Sequence, residues 1–122
     1  IIGIAVSPTR LALNSKSKVL KNYEINSEQH RAYARLLSLY LVFCNRVGYE
    51  DGVNFWGGSE IVDPFGTVDK VAKFFDEDLI TSEINMTSVK RARQLARHFL
   101  DEDVNFLRHE VGLLNEELLK IK

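Results

Sequence analysis

The sequence predicts an α/β fold, an α+β sandwich, from three observations. Residues 1–6 and 41–46 are continuous apolar runs, typical of strands that are covered on both faces. Between them lies a segment whose apolar side chains recur every three and four positions, which predicts a helix capped by Asn26 or Ser27. A strand, a helix and a second strand form a βαβ unit, so we expect the two strands to be parallel neighbours.

The next elements are read from turn residues and alternation. The segment 47–58 is rich in glycine and is predicted to be a loop. Asp63-Pro64-Phe65-Gly66 has proline and glycine where a β-turn favours them, so residues 59–62 and 67–74 should form a hairpin. Alternating side chains over 78–86 predict one more strand.

Two helices are predicted at the end of the chain. Thr87 should cap a helix over residues 88–99, and the last helix should begin near 101–103, where three acidic residues favour a helix N-terminus. Because the apolar residues of this last helix alternate at three and four, we expect 100–122 to be a terminal helix and a possible subunit interface. Those apolar residues are Val104, Leu107, Val111, Leu114, Leu118 and Ile121.

The composition is that of an ordinary globular protein, with 122 residues, 45% hydrophobic and 27% charged. A net charge of -1 provides no overall field to attract nucleic acid or an anionic membrane. One cysteine excludes an internal disulfide, which fits a cytoplasmic location. The chain starts at Ile1 inside a strand-like run, so we expect it to be a fragment of a longer protein.

Several residues of reactive types are expected to have structural roles only. Cys44 lies within an apolar strand run, so we expect a buried core side chain. His30, His98 and His109 lie on three predicted helices without metal-ligand spacing; we expect solvent-facing side chains and no metal site. Basic residues over 90–97 are expected to form a solvated helix face.

Two segments are candidates for a binding site. Ser7 and Thr9 lie in a polar corner at the end of the first strand, where open α/β sheets bind ligands; an ordinary strand-ending turn is the alternative. Phe55 and Trp56 are large aromatic residues between glycines after a buried strand, a pattern that suits the wall of a pocket.

The order of motifs resembles a known family. It runs strand, Asn-Arg-Val-Gly at 45–48, Glu-Asp-Gly at 50–52, Phe-Trp-Gly-Gly-Ser at 55–59, strand, and Asp-Pro-x-Gly at 63–66. This order resembles the carbon–nitrogen hydrolase (nitrilase) superfamily, especially its bacterial amidase-like members and the glutaminase domain of glutamine-dependent NAD synthetase. The corner at 7–10 also resembles the family, although Leu11 stands where a glycine often follows.

The resemblance implies both a fold and an activity. The chain would be the C-terminal half of a four-layer α-β-β-α sandwich and the C-terminal portion of one hydrolase domain. The parent protein would hydrolyse nonpeptide carbon–nitrogen bonds of an amide or nitrile with a Cys-Glu-Lys triad upstream of residue 1, without a cofactor, and would be a homo-oligomer paired through helices. By the same resemblance Ser7 and Thr9 would contact the substrate, and this chain alone would be inactive.

Two alternatives stay open from the sequence. The chain could be a non-enzymatic dimerisation or scaffold module, because the terminal helix favours a partner. It could also be a small α/β domain that binds a ligand at 7–10.

Overall fold

The computed structural model describes residues 2–4, 8–9, 19–97 and 101–120. They form two β-sheets and three α-helices. The elements are β1 (Ile2–Ile4), α1 (Lys21–Leu37), β2 (Leu41–Phe43), β3 (Val47–Glu50), β4 (Val53–Trp56), β5 (Glu60–Val62), β6 (Val68–Val71), α2 (Met86–Leu95) and α3 (Val104–Lys120).

The main sheet has four strands in the order β1-β2-β5-β6. β1 and β2 are parallel neighbours, with Gly3 opposite Val42, which confirms the βαβ prediction. β5 and β6 form the predicted hairpin, and its turn is closed by hydrogen bonds from Asp63 N to Thr67 O and from Gly66 N to Asp63 O. Both of its strands are shorter than predicted.

The prediction of a loop over 47–58 is wrong, because β3 and β4 pair there as an antiparallel hairpin. Asp51 and Gly52 have φ angles of 49° and 80° and form its turn. A two-residue turn with both φ angles positive matches the twist of the flanking strands, and Asp-Gly is a preferred sequence for it.

The prediction of a strand over 78–86 is also wrong, because residues 77–85 form no strand. Alternation describes the two faces of an extended segment but does not provide a neighbour to pair with it. Ser82 is attached to Asp69 of β6 only through its side chain, and Leu79 is 87% exposed.

The helices begin at different residues from those predicted. α1 starts at Lys21, so Asn26 and Ser27 lie inside it, and Ser27 uses its hydroxyl for a tertiary hydrogen bond to Glu60. α2 is capped by the side chain of Asn85, which accepts from Thr87 N at 2.8 Å, and not by Thr87 itself.

α3 begins close to its predicted start near 101–103. The Asp103 carboxylate accepts hydrogen bonds from Asn105 N and Phe106 N, each at 3.0 Å. All side chains that the structure describes on this helix, 104–115, are exposed. The side chains of Leu118 and Ile121, the last two apolar residues predicted for this helix, are outside the described side chains.

The core lies between α1 and the main sheet. Its largest fully buried side chains include Trp56, Leu41 and Val62, with Ala34 of α1 packed against them. No helix in the described part of the chain is both long enough and apolar enough to cross a membrane.

Candidate functional site

The polar corner after β1 lies beside β4. Thr9 N donates to the backbone oxygen of Asn54 at 2.7 Å, and Thr9 Oγ1 donates to Asn54 Oδ1 at 2.8 Å. Pro8 forms an antiparallel bridge with Phe55, and its carbonyl accepts from Asn22 Nδ2 of α1 at 3.5 Å. The corner therefore extends the β3–β4 hairpin by a short third strand.

The predicted site residues have different surroundings. Thr9 and Phe55 come together at this corner, whereas Ser7 lies outside the described residues. Trp56 has no exposed surface, since it packs between Phe43 and Phe74 with ring centroids 6.0 and 6.2 Å away. Its place is beneath the corner, in the core.

Asn54 is a polar residue at this corner that is not among the candidates chosen from the sequence. The hydroxyl of Thr9 is bonded to its Oδ1, which directs the amide nitrogen of Asn54 away from Thr9. An amide nitrogen carries two donor hydrogens, so this group can bind a carbonyl or carboxylate oxygen. The signal in the sequence was its position one residue before Phe55.

The hairpin that carries Asn54 is fixed by Asn45 and Ser59. Asn45 N donates to Ser59 Oγ at 2.8 Å, and Asn45 Nδ2 donates to the carbonyl oxygen of Gly57, also at 2.8 Å. At Gly58, with φ of 60°, a Cβ atom would lie 2.6 Å from the rings of Phe74 and Trp56. The motif at 55–59 thus sets the close approach between the hairpin and the core.

Arg46 covers Phe55 at the same end of the main sheet. Its guanidinium carbon lies 4.8 Å from the centroid of the Phe55 ring, and Nη1 is bonded to the carboxylate of Glu50. Phe55 is consequently only 7% exposed, whereas the Arg46 side chain is 43% exposed.

A buried polar network joins α1 to β5. The Glu60 side chain is 1% exposed; Oε2 accepts from Ser27 Oγ at 3.0 Å, and Oε1 lies 2.6 Å from His30 Nδ1. His30 is therefore buried, and the prediction that it faces solvent is wrong. Sequence reasoning missed the network because Glu60 lies 33 residues from Ser27 and 30 residues from His30.

Tyr23 of α1 lies next to this network. Burial raises the pKa of Tyr23 above its ordinary value of 10.0, and the nearby Glu60 carboxylate raises it further; the hydrogen bond with Ser27 opposes both effects. The ring of Tyr23 also contacts Phe74 edge-on, at 5.1 Å between centroids.

Cys44 is exposed, so the prediction of a core side chain is wrong. β2 ends at Phe43; Leu41 and Phe43 face the core, and Cys44 follows beyond the paired segment. No described residue forms a hydrogen bond to its thiol, so the described chain offers it no general base.

The other reactive residue types form no site within the described ranges. His109 and the basic residues Lys90, Arg91, Arg93 and Arg97 are exposed, and His98 lies outside those ranges. Among described residues, no three of the histidine, cysteine and acidic side chains are grouped so that they could hold a metal ion.

The polar groups at this corner are suited to binding a ligand rather than to catalysis. Thr9, Asn54 and Arg46 place a hydroxyl, an amide and a guanidinium at the carboxyl ends of β1 and β2, the usual location of ligands in α/β sheets. None of the residues at this corner is a nucleophile bonded to a base: Cys44 has no bonded base among the described residues, and Ser27, whose hydroxyl is bonded to Glu60, is buried in the network between α1 and β5. Their geometry is that of a binding corner.

Comparison with solved structures identifies the fold. A carbon-nitrogen hydrolase from Helicobacter pylori aligns over 88% of this chain and 40% of its own, with a TM-score of 0.67 and 22% identity. A CN-hydrolase superfamily protein from Xanthomonas campestris, solved with an arsenic adduct in its active site, aligns over 68% of this chain and 31% of its own (TM-score 0.59, 23% identity). The mixed sheets and helices thus belong to a CN-hydrolase-type α/β fold.

Sequence comparison then gives the family. The model of the carbon-nitrogen hydrolase family matches residues 24–94, which is more than half of the chain. The chain belongs to the carbon–nitrogen hydrolase family.

Curated relatives include two glutamine-dependent NAD(+) synthetases. That of Aquifex aeolicus is 36% identical over 56 residues, and that of Thermotoga maritima is 39% identical over 46 residues. These alignments cover 46% and 38% of this chain but only 10% and 8% of the two synthetases. The chain therefore matches a small part of each relative.

Proposed function

We propose that this chain is the substrate-binding part of an amidase-type enzyme that hydrolyses a nonpeptide carbon–nitrogen bond. The observation that carries the proposal is the corner at which Thr9 holds the amide of Asn54 at the end of the parallel strands. Membership of the carbon–nitrogen hydrolase family supports the reaction type. The two glutamine-dependent relatives support an amide rather than a nitrile as the substrate.

The catalytic groups of this proposal are a Cys-Glu-Lys triad upstream of residue 1. Cysteine attacks the amide carbon, glutamate moves the proton from the thiol to the leaving nitrogen, and lysine stabilises the oxyanion. Water then releases the acid from the thioester. In the described residues, the exposed Cys44 has no bonded base, which supports its exclusion as the nucleophile.

Within this reaction Thr9 and Asn54 bind the polar end of the substrate. By the family resemblance, Ser7 is proposed to contribute a further hydroxyl. Phe55 forms the wall between this corner and Arg46, and Trp56 supports the wall from the core.

The proposal is tested by measuring ammonia release from a panel of small amides and nitriles. The intact protein that contains this chain should hydrolyse amides, and residues 1–122 alone should hydrolyse neither class. Thr9→Val should lower kcat/KM about tenfold, as expected for the loss of one useful hydrogen bond. Thr9→Ser, which keeps the hydroxyl, is the matched control.

Two results would contradict the proposal. One is hydrolysis by the isolated chain that disappears in Cys44→Ala, which would place the active site on this cysteine. The other is an intact protein that releases no ammonia from any amide or nitrile.

The same proposal includes a homo-oligomer, with α3 at the interface between two copies. On this helix Val104, Leu107 and Val111 are each more than half exposed and lie three or four residues apart. Most of the stability of a helix in a protein comes from packing of its apolar face, and the described side chains of this 17-residue helix are all exposed. A second copy of α3 would cover this stripe with the spacing that helix pairs use.

A further inference from the structure

A cavity lies at the end of the main sheet opposite to the polar corner. It is formed by the end of α1, the turn at 63–66 and the last turn of α2, and its volume of about 470 Å³ is typical of ligand pockets. The end of α1 leads into the start of β2 and the turn follows the end of β5, whereas the corner lies at the carboxyl ends of β1 and β2. The cavity is therefore separate from the candidate site.

One side of the cavity is the turn, which is fixed by its own hydrogen bonds. The Asp63 carboxylate accepts from Phe65 N at 2.9 Å and from Thr67 N at 2.8 Å. Arg31 Nε of α1 donates to the carbonyl oxygen of Gly66 at 3.0 Å, which attaches the turn to the helix. This wall is in place before any ligand arrives.

The walls of the cavity are mostly apolar. The turn contributes Pro64 and Phe65, and α2 contributes Ala92, Leu95 and Ala96. The two alanines lie one helical turn apart, and their short side chains leave the space between α2 and the turn open. Because Phe65 is 38% exposed and Leu95 is 70% exposed, an apolar ligand between them would remove apolar surface from water.

Ser38 lines the same cavity and carries two unfavourable features. It is fully buried, and its hydroxyl has no hydrogen-bond partner within the described chain. Its φ and ψ of 49° and 52° lie in the left-handed region, where helices usually end on glycine or asparagine. Because buried polar groups in native proteins are almost always satisfied, the fold alone does not explain a serine here. An acceptor supplied by a ligand does.

Arg35 supplies a positive charge at the cavity. It lies one turn before Ser38, and its guanidinium makes no hydrogen bond or ion pair with a described residue. An arginine in the last turn also complements the helix dipole, but the carbonyls of Ala34 and Arg35 already accept from Ser38 N, and the dipole leaves the buried hydroxyl unexplained. A carboxylate can accept from the guanidinium and from the hydroxyl together.

We propose that this cavity binds a small monocarboxylic acid with an apolar body. The carboxylate lies between Arg35 and Ser38, and the body lies between Phe65 and Leu95. The site is independent of the proposed function, because no residue of the amide-binding corner takes part in it.

The test titrates benzoate calorimetrically into the intact protein. Benzyl alcohol, which is similar in size but uncharged, is the control ligand. Benzoate should bind about tenfold or more tightly than benzyl alcohol, and Arg35→Gln should lower the affinity for benzoate about tenfold without changing that for benzyl alcohol. Arg108→Gln, at an exposed arginine of α3, is the matched control and should change neither affinity.

Ser38→Gly separates a ligand site from a structural role. Glycine adopts the left-handed conformation without strain and removes the orphaned hydroxyl, so the Tm without ligand should rise by about 2–4 °C while the affinity for benzoate falls about tenfold. Ser38→Ala should lose the same affinity. A lower Tm in Ser38→Gly would assign the serine to the fold and overturn the proposal.

Three results of the titrations would also overturn it. These are absence of benzoate binding to the wild type, equal affinities for benzoate and benzyl alcohol, and an affinity for benzoate that Arg35→Gln and Ser38→Gly leave unchanged. None of these measurements uses amide hydrolysis, so the proposed function and this site stand or fail separately.

Discussion

α1 and α3 are both 17 residues long, yet the two helices have opposite surroundings. α1 is attached to the sheet by Ser27 and His30, which share the buried carboxylate of Glu60. α3 has more apolar residues, but none of its described side chains is buried. The number of apolar residues therefore does not decide which helix packs against the sheet. The deciding factor is whether the rest of the chain offers a complementary surface.

The largest expected effect comes from breaking the attachment of α1. Glu60→Ala leaves His30 and Ser27 buried without their shared partner, so the free energy of unfolding should fall by about 3 kcal/mol or more. Denaturant unfolding of the intact protein measures this change. Glu110→Ala, at an exposed carboxylate on α3, should change stability by less than about 0.5 kcal/mol. Equal effects at the two sites would contradict the comparison.

The second prediction concerns the apolar stripe of α3. Leu107→Asp together with Leu114→Asp should dissociate the oligomer into folded monomers, because each charge would be buried in the helix pair. The dissociation constant should rise by more than about 100-fold. Mass in solution and circular dichroism measure assembly and folding, and Asn115→Asp on the same helix is the control. An unchanged mass, or unfolding, would place α3 in an intrachain core.

Replacement of a glycine by alanine should lower stability beside α1 and raise it on α3. Gly66 has φ of 79°, and a Cβ atom there would lie 2.9 Å from the Arg31 backbone oxygen of α1, so Gly66→Ala should destabilise by about 2 kcal/mol. Gly112 of α3 has no neighbour within 4 Å of such an atom, and Gly112→Ala should stabilise by about 0.5–1 kcal/mol. Thermal unfolding shows both signs; destabilisation by both variants would mean that α3 is closely packed.

The smallest expected effect is a pH dependence that comes from α1. The pKa of Tyr23 is raised above 10.0 in the folded protein, so its contribution to stability is complete below pH 10 and is lost as the pH rises through the folded value. Tyr23→Phe should remove this alkaline loss of stability. Tyr49→Phe, where the side chain is 79% exposed, should leave it in place. An unchanged alkaline profile in Tyr23→Phe would contradict this assignment.

Sequence patterns predicted the elements whose signals lie in neighbouring residues. The turn at 63–66 follows from turn chemistry, and the parallel pair β1–β2 follows from two apolar runs joined by a helix; both are confirmed. The strand predicted at 78–86 failed because pairing depends on a distant partner. The hairpin at 47–56 was missed because Asp51-Gly52 was not recognised as a two-residue hairpin turn.

The candidate site, too, could be predicted from the sequence only in part. Thr9 and Phe55 were both selected from the sequence, but the bridge between residues 8 and 55 is what brings them to the same corner. Trp56 was selected for the same reason as Phe55, yet adjacent strand residues face opposite sides, so Trp56 lies in the core. Glu60 was missed because only the folded chain brings Ser27 and His30 to it.

Amide hydrogen exchange tests the contrast between the two helices most directly. The intact protein is studied at concentrations that span its oligomer dissociation constant. The amides of α1 should be equally protected at every concentration, because Glu60 holds this helix within one chain. The amides of α3 should lose protection on dilution, because a second copy covers the helix. Protection of α3 that does not depend on concentration would contradict the account and would place its partner within the same chain.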